Sequence, residues 1–369
     1  AQNKTEQLGE EMDKTSKKSE DFGDKSKNAV VGLDDILATV GIVAVLNKIA
    51  DAFSDASDKA TEFETNVAMV STVADTTVLS TDQLSTQISG LSKDTAKNVN
   101  ELADATYNAI SAGVATEGAV ETVGEASKLA TAGFTSSASA LSVLTTALNA
   151  YQLEASEVTN ISDSLITSQN LGVMTIDQLS SSMGKAISTA SAYSIDLYNL
   201  ESGYISLTKA GVSVEESTTY ISSMFNELGD SGSEVAGVIM EETGQSFGQL
   251  MKSGYSLADV LEILYNSVDQ DSEALMNLWG SAEAGKAANA VINQGLDTFN
   301  NNLDKLRNSA GTTERAYSAM TNTTQYATER MQNSFNNLAI AIGDDINPTV
   351  AQFKNGIADI TDGFTELIT

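Results

Sequence analysis

The chain has 369 residues, with 20 Lys and Arg against 50 Asp and Glu, for a net charge of −30 and a pI near 4.1. It contains no His and no Cys, which excludes Cys-His zinc sites, Ser-His and Cys-His dyads, thiolate chemistry, His-ligated haem and disulfides. One Pro stands against 26 Gly, and 41% of residues are apolar; this favours an all-α fold with enough apolar content for a core, and the acidic balance argues against nucleic-acid binding, which depends on Lys and Arg.

Residues 1–28 mix seven acids with six Lys and few apolar side chains (Leu8, Met12, Phe22), the pattern of a solvated helix or tail. Residues 29–75 carry Leu33, Ile36, Leu37, Val40, Val43, Leu46, Ile49, Phe53, Phe63, Val67 and Val70. Most steps are three or four, so one long amphipathic helix is expected. Its most apolar run, Ile36 to Asn47, has 12 residues, short of the roughly 20 that cross a bilayer. The chain starts at Ala1 without an apolar leader and stops in an apparent helix at Thr369, so a fragment of a longer protein is expected.

Residues 76–268 read as a compact helical core. Asn98, Thr175 and Ser213 each precede a Glu or Gln three residues on, the spacing of a capping box. Gly113-Val114, Gly133-Phe134, Gly172-Val173, Gly211-Val212 and Gly254-Tyr255 read as helix stops, with the glycine left-handed and the apolar residue folded back. The stops are spaced 20, 39, 39 and 43 residues apart, a period that fits a helical hairpin. Residues 269–347 predict longer helices, near 281–308 and 313–342, hinged at Gly311. After Asn347-Pro348 a terminal amphipathic helix over 348–369 carries Val350, Phe353, Ile357, Ile360, Phe364 and Leu367. The apolar stripes of 29–75 and 349–367 need a partner surface, and self-association through them is expected.

Three motifs approach known chemistry and miss. Gly229-Asp230-Ser231-Gly232 copies the surroundings of a protease serine, but no His is present to take its proton; it reads as a turn. Gly280 to Ala287 resembles a phosphate-binding loop, yet Ala287 replaces the Mg²⁺-holding Ser or Thr. Asp269-Gln270-Asp271-Ser272-Glu273 begins like a calcium loop, but Ala274 and Gly280 stand where Gly and Glu are required. The adjacent pairs Glu241-Glu242 and Asp344-Asp345 point to different helix faces. No catalytic, cofactor-binding or metal-binding residue is predicted, and no cofactor is needed.

Three ordered stretches resemble the conserved region of phage tail tape measure proteins. The first runs from Glu62-Phe63-Glu64 through Ser80-Thr81-Asp82-Gln83-Leu84 to Asn100-Glu101-Leu102-Ala103 and Ser111-Ala112-Gly113-Val114. The second comprises Leu148-Asn149-Ala150-Tyr151, Asn170-Leu171-Gly172-Val173-Met174-Thr175 and Leu207-Thr208-Lys209-Ala210-Gly211-Val212. The third is Trp279-Gly280-Ser281-Ala282-Glu283-Ala284-Gly285, followed by Ser334-Phe335-Asn336-Asn337-Leu338 and Ile340-Ala341-Ile342-Gly343. The resemblance implies a non-enzymatic structural role: filling the tail tube lumen and setting tube length, with the tail tube protein and tail assembly chaperones as partners. The implied location is the virion tail, and the host cytoplasm during assembly. Two rival readings are a secreted helical toxin or effector acting on membranes, and a helical hydrolase or lyase, which would need a Glu in an apolar pocket.

Overall fold

The computed structural model describes residues 58–323, together with 326–327, 330–331, 333–334 and 340. The segment 1–28, most of 29–75 and the terminal element 348–369 thus lie outside the described residues. Glu62–Leu338 form one compact unit. Its helices are α1 (58–73), α2 (Thr81–Thr95), α3 (Val99–Ser111), α4 (Thr116–Ala132), α5 (Ser137–Tyr151), α6 (Val158–Leu171), α7 (Ile176–Ala192) and α8 (Leu197–Lys209). They continue with α9 (Val214–Gly229), α10 (Glu234–Thr243), α11 (Phe247–Lys252), α12 (Leu257–Ser267), α13 (Ser272–Asn277), α14 (Ala282–Gln294), α15 (Leu296–Arg307) and α16 (Thr312–Thr321). Among the described residues there is no strand, and the chain is all-α.

Local chemistry starts and stops these helices. The Thr175–Gln178 capping box forms in full, but Asn98 accepts from the Asn100 N–H, and Ser213 accepts from the Glu216 N–H without a complete box. Further full boxes form at Ser80–Gln83, Ser246–Gln249 and Ser256–Asp259. Gly113, Gly211 and Gly254 are left-handed, with φ of 99°, 88° and 93°. In each case the next residue's N–H reaches back five residues, closing a six-residue turn: Val114 to Ala109, Val212 to Leu207, Tyr255 to Leu250. Gly133 and Gly172 also end their helices as expected, but they are not left-handed (φ −94° and −100°), which corrects the conformation expected at these two stops. At the first of these, Phe134 takes φ 55° instead. Both glycines answer to packing: a Cβ on Gly133 would lie 2.8 Å from Ile176 Cγ1, and one on Gly172 2.8 Å from Met174 Cε.

The expected long helix over 281–308 is two helices. Gly295, at φ 94°, breaks it between α14 and α15, and the following helix ends at Thr321 instead of continuing unbroken from 313. These C-terminal helices pack into the same unit as the core.

The helices stack in three layers. One holds α5, α7 and α9, each packed on the next. A middle layer holds α4, α6 and α8. The returning helices α14, α15 and α16 cover the middle layer: α14 lies on α8 and α9, α15 on α8 and α6, α16 on α6 and α4. The hairpin period is therefore real in space, since α4, α6 and α8 are separated by one intervening helix each. The middle layer is covered on both sides, so most residues of α4 and α8 are buried. Leu129, Leu144, Leu165, Ile166 and Ile176 are buried to within 2%, each contributing about 1.5–3 kcal/mol by transfer from water.

Candidate functional site

The sandwiched layer carries a feature that composition does not reveal. Glu125 on α4, Asp163 on α6 and Glu201 on α8 are 7%, 2% and 1% exposed. They fall 38 residues apart, at equivalent places in successive middle-layer helices. A buried carboxyl is costly unless it is hydrogen-bonded, paired or neutral, and the three are handled in three ways.

Asp163 is hydrogen-bonded. Its Oδ2 accepts the Gly311 N–H at 2.7 Å and its Oδ1 the Thr313 N–H at 2.7 Å. It thus caps the N-terminus of α16 from 150 residues away, where backbone donors and the helix dipole favour an anion. Beside it Ser162 Oγ shares a hydrogen bond with Thr313 Oγ1 at 3.0 Å. Glu125 has Lys128 Nζ 3.9 Å away, and that ammonium also bonds Glu314 of α16 at 2.9 Å. Burial pushes the Glu125 carboxyl above its ordinary value; Ser162 and Lys128 offset part of that, while Asp163 and Glu314 add to it. Glu201 has no cationic partner: Ser164 Oγ donates to Oε1 at 3.0 Å, and Oε2 has none. Burial pushes it up to about 8, partly offset by Ser164 and Ser168, with Asp196 adding repulsion. Glu201 is therefore largely a neutral acid at pH 7. Tyr151, whose buried hydroxyl is unpartnered, is pushed far up by burial and by the charges of Asp196 and Glu201.

Three surface clefts accompany the layers. One of about 580 Å³ lies at the α3–α4 and α5–α6 turns, lined by Glu117, Glu121, Glu154 and Asn149. A second, about 460 Å³, is lined by Tyr193, Met240, Phe247 and Lys252. The third, about 520 Å³, is lined by Glu227, Asp230, Glu234 and Trp279. None of the three is lined by Glu125, Asp163 or Glu201. The hydrolase reading requires a Glu in an apolar pocket; Glu201 is a buried Glu, but it lines none of these three clefts.

The near-motifs serve helix ends. Gly229 closes α9 where a Cβ would lie 2.0 Å from Tyr193 Cε1, and the Asp230 carboxyl accepts the Gly232 N–H at 2.9 Å. Ser233 then caps α10. Where a phosphate loop would hold its anion, Glu227 already sits: its Oε2 accepts the Gly280 N–H at 2.7 Å and its Oε1 the Ser281 hydroxyl at 2.6 Å. Lys286 lies 5.4 Å over the Tyr220 ring, a cation–π position. Gly285 admits Met276 and Trp279 against α14. Asp271 caps α13 through the Glu273 and Ala274 N–H groups. Among the described residues, no cluster of acids is arranged to hold a metal ion, and no helix is long and apolar enough to cross a membrane.

The profile of a family described as phage-related minor tail protein matches residues 85–280, more than half of the chain. A relative called a probable tape measure protein, from Clostridium phage phiCD119, is 28% identical over 336 residues. That alignment covers 88% of this chain and 36% of the relative, so the chain spans about a third of that protein's length. No solved structure matches.

Proposed function

The chain belongs to the phage-related minor tail protein family, and on that premise we propose that it is a stretch of a tape measure protein that fills the tail tube lumen and sets tube length during assembly. The observation that carries the reading is the likeness to a probable tape measure protein over 88% of the chain. Physical chemistry supports it. A helical chain has a length proportional to its residue count, about 1.5 Å per residue. A net charge of −30 keeps such a filler from adhering to DNA that later uses the same channel. The buried acids are arranged around helix caps and interior packing, which suits a structural, non-enzymatic role. The tail tube protein and assembly chaperones are the partners of this reading. Its places are the host cytoplasm during assembly and the tube lumen afterwards.

Protease protection on purified tails tests it. Peptides of this chain should be present in intact tails, survive external protease, and be lost from tails after DNA ejection. Peptides absent from tails, or cleaved on intact ones, would overturn it. The membrane-toxin alternative makes the opposite prediction in a second assay, leakage of anionic liposomes, where this reading expects none.

A further inference from the structure

The third layer is not held uniformly. Helix α15 buries Phe299, Leu303 and Leu306, whereas α16 buries just Thr313 and Tyr317. What holds α16 is polar and comes from far along the chain. Asp163 accepts its first N–H groups, Ser162 meets Thr313, and Lys128 meets Glu314. Beyond it, the Tyr326 hydroxyl donates to the Thr95 carbonyl at 3.0 Å and accepts from Tyr317 at 2.7 Å, while Asn333 donates to the Ala96 carbonyl. Underneath lie two of the three row acids, Glu125 and Asp163. Docking α16 strips water from both, and that desolvation opposes closure.

We propose that Ser309–Thr323, extended by the contacts of Tyr326 and Asn333, is a releasable strap over the middle layer, with Asp163 as its latch. A helix with few buried apolar side chains opens at lower free energy than the core it covers. Its closure rests on bonds to one carboxylate, because those bonds both cap the helix and satisfy the buried acid. When the strap lifts, Glu125 and Asp163 regain water, and α4 and α6 lose the cover on one face while keeping their packing on α5 and on each other. The strap thus opens as a unit of its own, ahead of α7–α9. The inference concerns the folded unit and stands whether or not the chain acts as a ruler.

Native-state hydrogen exchange on the full 369-residue chain, read peptide by peptide, tests it. Amides of 312–323 should exchange faster than those of 197–229, through an opening insensitive to low denaturant. Asp163→Asn should speed the strap's exchange by about tenfold or more while leaving 197–229 unchanged. A second variant guards against general destabilisation. Since the chain has no Cys, Ser162→Cys with Thr313→Cys places one pair of thiols where the two hydroxyls now touch. Oxidised, that variant should slow strap exchange to the core rate, and reduction should restore it. Strap and core exchanging together in the wild type, or strap exchange unmoved by Asp163→Asn, would overturn the proposal.

Discussion

Glu201 shows how a single side chain sets a pH response. Its folded-state value of about 8 lies above the ordinary 4.5, so the folded protein keeps a proton that the unfolded chain releases. Stability from this group is full below about pH 4.5 and is lost as pH rises toward 8, after which the contribution is flat. At pH 7 the loss is about 3 kcal/mol. Asp196, Tyr151 and Tyr198 face the same region, and Arg307 pairs with Asp196 at 3.2 Å. Glu201→Gln should therefore unfold at higher denaturant than wild type at pH 8 and converge with it near pH 4; an unchanged pH profile would refute the assignment. Gly229→Ala tests the packing explanation of that glycine. The new methyl meets the Tyr193 ring, and the expected cost is about 1–3 kcal/mol in chemical denaturation. Gly229 was legible in the sequence as part of a turn, though not its close approach to Tyr193, and the burial of Glu201 was not legible at all. An acid looks alike whether buried or solvated, and the clue, a 38-residue interval matching the hairpin period, becomes visible only once the middle layer is known.

Helix boundaries were legible where one residue type suffices. Thr175–Gln178 caps as its spacing implies, and Gly113, Gly211 and Gly254 stop helices by adopting the left-handed conformation. The signal was lost where other residues do the same work. Phe134, Gln152, Ser194 and Asp269 are left-handed without being glycine, and the N–H groups of Thr135, Leu153, Ile195 and Gln270 close the same six-residue bond. These backbone bonds close the turn whichever side chain carries it, and a local residue pattern does not encode them. Phe134 gives a direct test, because it is 73% exposed and has little packing to lose. Phe134→Gly should be neutral or stabilising by up to about 1 kcal/mol in thermal unfolding; a loss of more than that would mean the ring is anchored. The opposite error occurred at Gly295, where a periodic pattern hid a break that needs φ 94°.

At the scale of the molecule, the all-α class followed from one Pro, the glycine stops and the capping boxes, and the family followed from ordered motifs spread along the chain. The three-layer stacking did not, because the return of α14–α16 over α8, α6 and α4 depends on contacts between residues far apart in the chain, such as Lys128 with Glu314. The central claim is that chain length is converted to tail length. In the phage or prophage that encodes the chain, the gene can be lengthened in frame by about 100 helix-forming residues placed outside 62–338, and tails measured by electron microscopy. The account predicts tails longer by about 150 Å, at 1.5 Å per residue, with a proportionate shortening for the matching deletion. Assembled tails of unchanged length in both would contradict it.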